Sequence, residues 1–141
     1  MAETYATEIA GQNASPKTMA NGGVHGGRIR RFRATITMAA QASGDTIVLA
    51  KVPAGYAFAY GMLNSSATLG ASAKVAIGIA GTAAKYKAAA VFTAAAMTLF
   101  GLSTAQDDAA LTAEETVIAT ISVADLPGAG TFIVDLFFSA P

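Results

Sequence analysis

Between Arg28 and Met38 the chain alternates with a period of two, and nothing else in it constrains the fold as strongly. The segment reads Arg28-Ile29-Arg30-Arg31-Phe32-Arg33-Ala34-Thr35-Ile36-Thr37-Met38. Phe32, Ala34, Ile36 and Met38 point one way, and Arg31, Arg33, Thr35 and Thr37 the other, which is the pattern of a strand with one face buried. Ahead of it lies a polar stretch with the run Asn21-Gly22-Gly23-Val24-His25-Gly26-Gly27 and few large apolar residues. Such a segment buries too little apolar area to offset its ordering entropy by itself. The expected organisation is a flexible N-terminal arm over residues 1–27 and a single β-sandwich domain over 28–141, with the glycine run as hinge.

The body continues in the same manner. Ala42-Ser43-Gly44-Asp45 predicts a turn, and Thr46 to Val52 is a nearly continuous β-prone run ended by Pro53-Ala54-Gly55. A fixed proline φ followed by a residue free to take positive φ makes a turn. Tyr56, Phe58, Tyr60 and Met62 alternate with Ala57, Ala59, Gly61 and Leu63, which predicts a core face of large side chains opposite a closely approached face. Val75, Ile77 and Ile79 alternate with Lys74, Ala76 and Gly78; Val117, Ala119, Ile121 and Val123 with Ile118, Thr120 and Ser122. After the turn Leu126-Pro127-Gly128-Ala129-Gly130, Phe132, Val134, Leu136 and Phe138 alternate with Ile133, Asp135 and Phe137. Six or seven short strands, with no alternation of strand and helix, predict an all-β fold: a sandwich or jelly-roll-like barrel with an extended N-terminal arm. Immunoglobulin-like and jelly-roll strand orders both fit this pattern. Lys85 to Ala96 has the alanine content of a helix but no amphipathic stripe, and a strand from Tyr86 to Phe92 fits equally.

Charged residues make up 13% of the chain, nine acidic against nine basic, about half of the roughly 25% usual for a soluble domain. A protein with few charges and no net charge lacks the repulsion that keeps copies apart. The composition is that of a subunit covered by neighbours, and a homo-oligomer is expected. Ala88 to Gln106 contains no charged residue, yet alanine is its commonest residue and threonine, glycine and serine are interspersed, so no membrane span is expected. The first residues hold Glu3 and Glu8 and no basic, apolar leader pattern, so no secretory signal is read there.

No catalytic constellation is present. Cysteine is absent and His25 is the single histidine, which excludes a thiol nucleophile, a thiolate zinc site and a histidine cluster. The glycines around His25 follow no strand and precede no Gly-Lys-Ser/Thr, so they form no phosphate loop. Asp107-Asp108 and Glu114-Glu115 lack the ligand spacing of a calcium loop. Thr112 and Glu115 have capping-box spacing, which predicts a short helical turn. The expectation is no enzyme, no cofactor and no metal.

All four arginines, Arg28, Arg30, Arg31 and Arg33, fall within six residues. The strand period divides them, Arg31 and Arg33 on one face and Arg28 and Arg30 on the other, so they make no single basic patch. With no basic surplus either, no direct nucleic-acid binding is expected. Guanidinium groups beside a flexible arm suit fork-like pairing with carboxylates, on a neighbouring subunit or within the chain at Asp135 or Glu114-Glu115. Arg28, Arg30, Arg31, Arg33 and His25 are the candidate contact residues toward a neighbouring subunit or a larger assembly.

Three stretches carry a resemblance: Arg33-Ala34-Thr35-Ile36-Thr37, Asp45-Thr46-Ile47-Val48-Leu49-Ala50-Lys51-Val52-Pro53-Ala54-Gly55, and Gly128-Ala129-Gly130-Thr131-Phe132-Ile133-Val134-Asp135-Leu136. With these, the body from Arg28 to Ser139 resembles the small virion structural proteins of tailed bacteriophages, in particular head-decoration or cement proteins. The resemblance implies a β-rich, often trimeric protein on the outer capsid surface that clamps neighbouring major capsid subunits against internal pressure. Its partner would be the major capsid protein and its location the virion, assembled in the host cytoplasm. The alternatives are another virion component (tail, neck or fibre) or a lectin-like surface-binding module, which exposed rings among Tyr56, Tyr60 and Tyr86 would favour.

Overall fold

The structure, a computed structural model, describes residues 6, 10–19, 22, 25–92, 96–106 and 109–140. Among the described residues eight strands follow one another: β1 (Arg28–Thr37), β2 (Thr46–Val52), β3 (Ala57–Ser65), β4 (Lys74–Ile79), β5 (Thr82–Val91), β6 (Thr98–Phe100), β7 (Glu115–Ser122) and β8 (Thr131–Ala140). They form two four-stranded antiparallel sheets, ordered β1-β8-β3-β6 and β2-β7-β4-β5. Only the β4–β5 connection stays within a sheet; every other one crosses to the opposite sheet. That order is a jelly roll, which decides between the two topologies the strand pattern allowed. Ahead of β1, a 3-10 turn spans Gly11–Asn13, and the Thr18 N–H donates to the Gly11 carbonyl at 2.9 Å.

The Pro53-Ala54-Gly55 turn forms as its residues predict, and a second glycine turn joins β4 to β5. Gly55, closing the Pro53-Ala54-Gly55 break, has φ +88°, and Gly81 has φ +83° in the two-residue link between Ile79 and Thr82. Both angles lie in the region that costs a side-chain-bearing residue energy.

The core lies between the inward faces. On β8, Phe132, Val134, Leu136 and Phe138 are buried with Ile36, Leu63, Val75, Ile77, Tyr86, Val117 and Ile121 from the other strands. Phe138 sits edge-on to Phe32 at 5.8 Å, to Phe58 at 5.4 Å and to Tyr86 at 5.9 Å between centroids. Tyr86 belongs to the second sheet, so this cluster ties the two layers together. Each such side chain contributes about 1.5–3 kcal/mol by leaving water.

Of the two readings open for Lys85 to Ala96 the structure takes the strand: β5 spans Thr82–Val91 and completes the edge of the second sheet, where β4 supplies its hydrogen bonds. Two expectations are corrected. Thr112 and Ala113 form a bend and Glu115 opens β7, so no helical turn follows the capping-box spacing. On β3 the alternation breaks: the register with β8 slips between Phe58 and Tyr60. This bulge at Ala59 re-aims everything after it. Phe58 enters the core, while Tyr60 and Met62 turn outward and Gly61 and Leu63 turn inward. A Cβ on Gly61 would lie 2.2 Å from the Phe100 ring of β6, so the inward glycine makes room for that ring.

Candidate interaction surface

β1 is an edge strand, and its pairing with β8 places each arginine. Arg28 pairs with Ala140, Arg30 with Phe138, Arg31 with Phe137 and Arg33 with Asp135. All four arginines are exposed, as is His25 ahead of them in a bend. The structure therefore lines up the arginines along one edge without joining them into one patch.

Arg33 is engaged within the chain. Its Nε donates to Asp135 Oδ1 at 2.8 Å and its Nη2 to Oδ2 at 2.6 Å, a bidentate fork. Asp135 is 3% exposed although it points to the outer face, because β8 is a central strand flanked there by Arg33 and Met62. The hydrogen bonds from Arg33 hold the Asp135 carboxyl below its ordinary value, against burial, with the charges of Arg33 and Arg31 assisting. A depressed carboxyl adds stability above its unfolded value of about 4 and loses it as pH falls through the lower folded value. Asp135→Asn is expected to cost about 1–2 kcal/mol at neutral pH, a figure kept modest by the exposure of Arg33. In urea titrations that difference from wild type should shrink to nothing as the pH is taken well below 4; a pH-independent gap would show that the pair does not titrate.

On the side of this ion pair toward β3 and β6, the outer face of the first sheet carries large apolar side chains, with Arg31 beside Phe137 and Asn64 among its polar members. The Tyr60 and Phe137 rings stack at 4.5 Å with planes 17° apart. Register places Met62 beside Asp135 and Leu99 beside Met62. Leu99 is 66% exposed, Met97 62%, Ile29 52% and Tyr60 39%. Rings and thioethers at the centre with guanidinium groups at one rim is a composition found at protein interfaces. Of the three tyrosines that bear on glycan binding, Tyr86 is buried, Tyr56 half-buried and only Tyr60 exposed.

A cleft of about 190 Å³ opens at one end of the sandwich between Phe58, Tyr86, Lys85, Thr104, Leu111 and Glu115. The Tyr86 hydroxyl donates to Glu115 Oε2 at 2.6 Å, and Lys85 Nζ pairs with Glu115 Oε1. Burial first, then the neighbouring carboxylate, pushes the Tyr86 hydroxyl far above its ordinary value. The phenol keeps its proton as a donor, and both Glu115 oxygens are already engaged. This network braces β5 to β7 and offers no activated base or nucleophile. Among the described residues no group of His, Asp and Glu could hold a metal ion. Asp107 and Asp108 lie outside the described residues. None of the described helices is long and apolar enough to cross a membrane.

The sequence missed the apolar face for a local reason. β6 is three residues long, too short to show a period, and the Ala59 bulge hides Tyr60 and Met62 inside an alternation that points them inward. Gly61 was the available signal, since a glycine inside a strand marks a bulge or a close approach.

No family model matches the chain, and no curated protein matches its sequence. Solved structures do match its fold. A chain of the capsid of Ralstonia phage GP4 is 21% identical, with a TM-score of 0.67 over 82% of this chain and 86% of that one. A chain of the cyanophage Pam1 capsid is 18% identical at TM-score 0.63, covering 82% and 86%. A chain of the acid-stable capsid of Helicobacter pylori bacteriophage KHP30 is 14% identical at 0.61, covering 80% and 88%. At these identities the likeness is one of fold.

Proposed function

We propose that this chain is a structural protein of a bacteriophage virion, and within it a decoration or cement protein on the outer surface of the head. The observation that carries the reading is the shared jelly roll, which spans 80–82% of this chain in structures of three phage capsids. The role is non-enzymatic: it binds across neighbouring major capsid subunits and holds them together, as part of a homo-oligomer, a trimer by the resemblance. The charge-poor surface, the edge bearing Arg28, Arg30 and Arg31, and the lack of an activated acid–base group in the cleft support this role over catalysis.

In this reading residues 1–27 act as an arm separate from the sandwich and order against the shell, and several weak contacts per oligomer add through effective concentration. Deleting residues 1–26 is expected to abolish co-sedimentation with undecorated heads while the thermal unfolding of the body stays intact. In the full chain, Arg28→Glu with Arg30→Glu is expected to weaken the same binding about tenfold or more. Undiminished binding by both variants would remove the arm and the arginine edge from the contact. A tail, neck or fibre position is the competing reading, and labelled protein that decorates tails and not heads would establish it.

A further inference from the structure

We propose that an extended acidic segment of a partner protein adds to the free edge of β1 as a further strand of the first sheet. Its backbone bonds to Ile29, Arg31, Arg33 and Thr35, and its carboxylates are held by Arg28, Arg30 and Arg31. The proposal deepens the reading above by naming the chemistry of the partner that meets this edge, and it rests on that reading for which assembly the partner belongs to.

The open hydrogen-bonding row follows from register. The Met38 N–H donates to the Gly130 carbonyl at 2.9 Å, one step beyond the Thr37–Thr131 pair that ends the β1–β8 ladder. In an antiparallel pair, alternate residues exchange both backbone bonds with the partner strand, and those between them turn both groups away. Arg28, Arg30, Phe32, Ala34 and Ile36 therefore bond to β8, while Ile29, Arg31, Arg33 and Thr35 point N–H and C=O to the other side. The Thr37 carbonyl, next in that row, also faces outward, where the Gln41 side-chain amide donates to it at 3.0 Å. β1 is the end strand of its sheet, and Ile29, Arg31, Arg33 and Thr35 are exposed. No turn or loop among the described residues bonds their backbone. The strand keeps one register with β8 over ten residues. By contrast β2 slips against β7, β5 slips twice against β4, and β6 has three residues; bulges and short length deter a further strand.

Charge decides what kind of strand fits. Both Asp135 oxygens are taken by Arg33, and Arg28, Arg30 and Arg31 have no ion pair among the described residues. Arg31 stands on the outer face beside Phe137, while Arg28 and Arg30 lie on the opposite side of the strand, the side of Phe32. A ligand lying on one face, such as a nucleic-acid backbone, reaches only part of this set. A strand added in the plane of the sheet sends alternate side chains to both faces. Its carboxylates meet Arg31 on one side and Arg28 and Arg30 on the other, as cross-strand pairs of opposite charge. The same arginines oppose pairing of β1 with β1 of a second copy, because full antiparallel overlap of the open row sets the Arg31 of each opposite the Arg33 of the other. Main-chain bonds supply affinity in such an addition, and the carboxylate pattern supplies selectivity.

The test uses the full chain and two labelled peptides of about ten residues, one of valine, threonine and glutamate and one with lysine in place of glutamate. Fluorescence anisotropy reads binding, and amide hydrogen exchange reads its place. The glutamate peptide is expected to bind about tenfold or more tighter than the lysine peptide, and to slow exchange at Ile29, Arg31, Arg33 and Thr35. Methylating its backbone nitrogens removes its donors and keeps its charge, and is expected to weaken binding about tenfold or more. Arg30→Glu with Arg31→Glu is expected to reverse the preference between the two peptides. Equal binding of both peptides, an unmoved preference in the double variant, indifference to methylation, or unprotected β1 amides would each overturn the proposal. So would amides already protected in the free chain, which would show the edge taken by residues 1–27 or by a second copy. Preference for a single-stranded oligonucleotide over the glutamate peptide would overturn it in favour of a phosphate partner. No phage particle enters this test, so its failure leaves the decoration role to co-sedimentation with heads, and failure of that role leaves the peptide result standing.

Discussion

Gly78→Val is expected to cost more than about 3 kcal/mol and to lower the melting temperature by more than about 10 °C. β4 is a central strand, and its pairing with β5 slips on both sides of Ile77. The slips bring the returning chain onto Gly78, so an added Cβ would sit 2.2 Å from the Thr82 carbonyl oxygen and 2.6 Å from Ala83. These are backbone atoms of the two-residue hairpin and cannot rotate aside as a side chain would. Relief requires opening the hairpin or displacing β4, which also carries buried Val75 and Ile77. Gly128→Ala is the matched control: nothing lies within 4 Å of its added Cβ, and its melting temperature should stay within a few degrees of wild type. Similar melting curves for the two variants would show that β5 does not crowd Gly78.

Phe138→Ala carries the other large expected effect, about 3–5 kcal/mol from lost burial and the cavity left behind. Its ring is fully buried and stands edge-on to three others, Phe32 of β1, Phe58 of β3 and Tyr86 of β5. Phe58 and Tyr86 also meet each other at 4.6 Å, so removing Phe138 opens the space on which the joint between the sheets is built. Tyr86 cannot collapse freely into that space, because its hydroxyl is bonded to Glu115. Phe138→Leu retains much of the volume and should cost less than half as much. Denaturant unfolding at equilibrium measures both, and an alanine variant no weaker than the leucine variant would place the sheet junction elsewhere.

These two sites also separate what kinds of information the chain carries. Phe138 was legible: β8 keeps strict alternation over its length, so Phe132, Val134, Leu136 and Phe138 could be assigned to the core from the pattern alone. β2 was legible to the residue, bounded by Asp45 and Pro53. The Gly55 turn followed from proline and glycine chemistry. The likeness to virion proteins also came from such stretches, and the fold comparison bears out the architecture it implied.

Gly78, Tyr60 and Leu99 were not legible in the same way. Alternation reports which way a side chain points only while the pairing register holds, and a single bulge at Ala59 reverses the face of every later residue in β3. β6 exists because β3 offers it an edge, and three residues contain no period to detect. Arg33 was one of four similar arginines until the register set it opposite Asp135, 102 positions away, and used its fork within the chain. The jelly-roll order arises from the same kind of long-range pairing, since six of its seven connections cross between sheets. Local propensity and turn residues thus determined the strands and much of the core. Strand order, bulges and the outward apolar face were decided by contacts distant in sequence, whose energy belongs to pairs of segments and to neither alone.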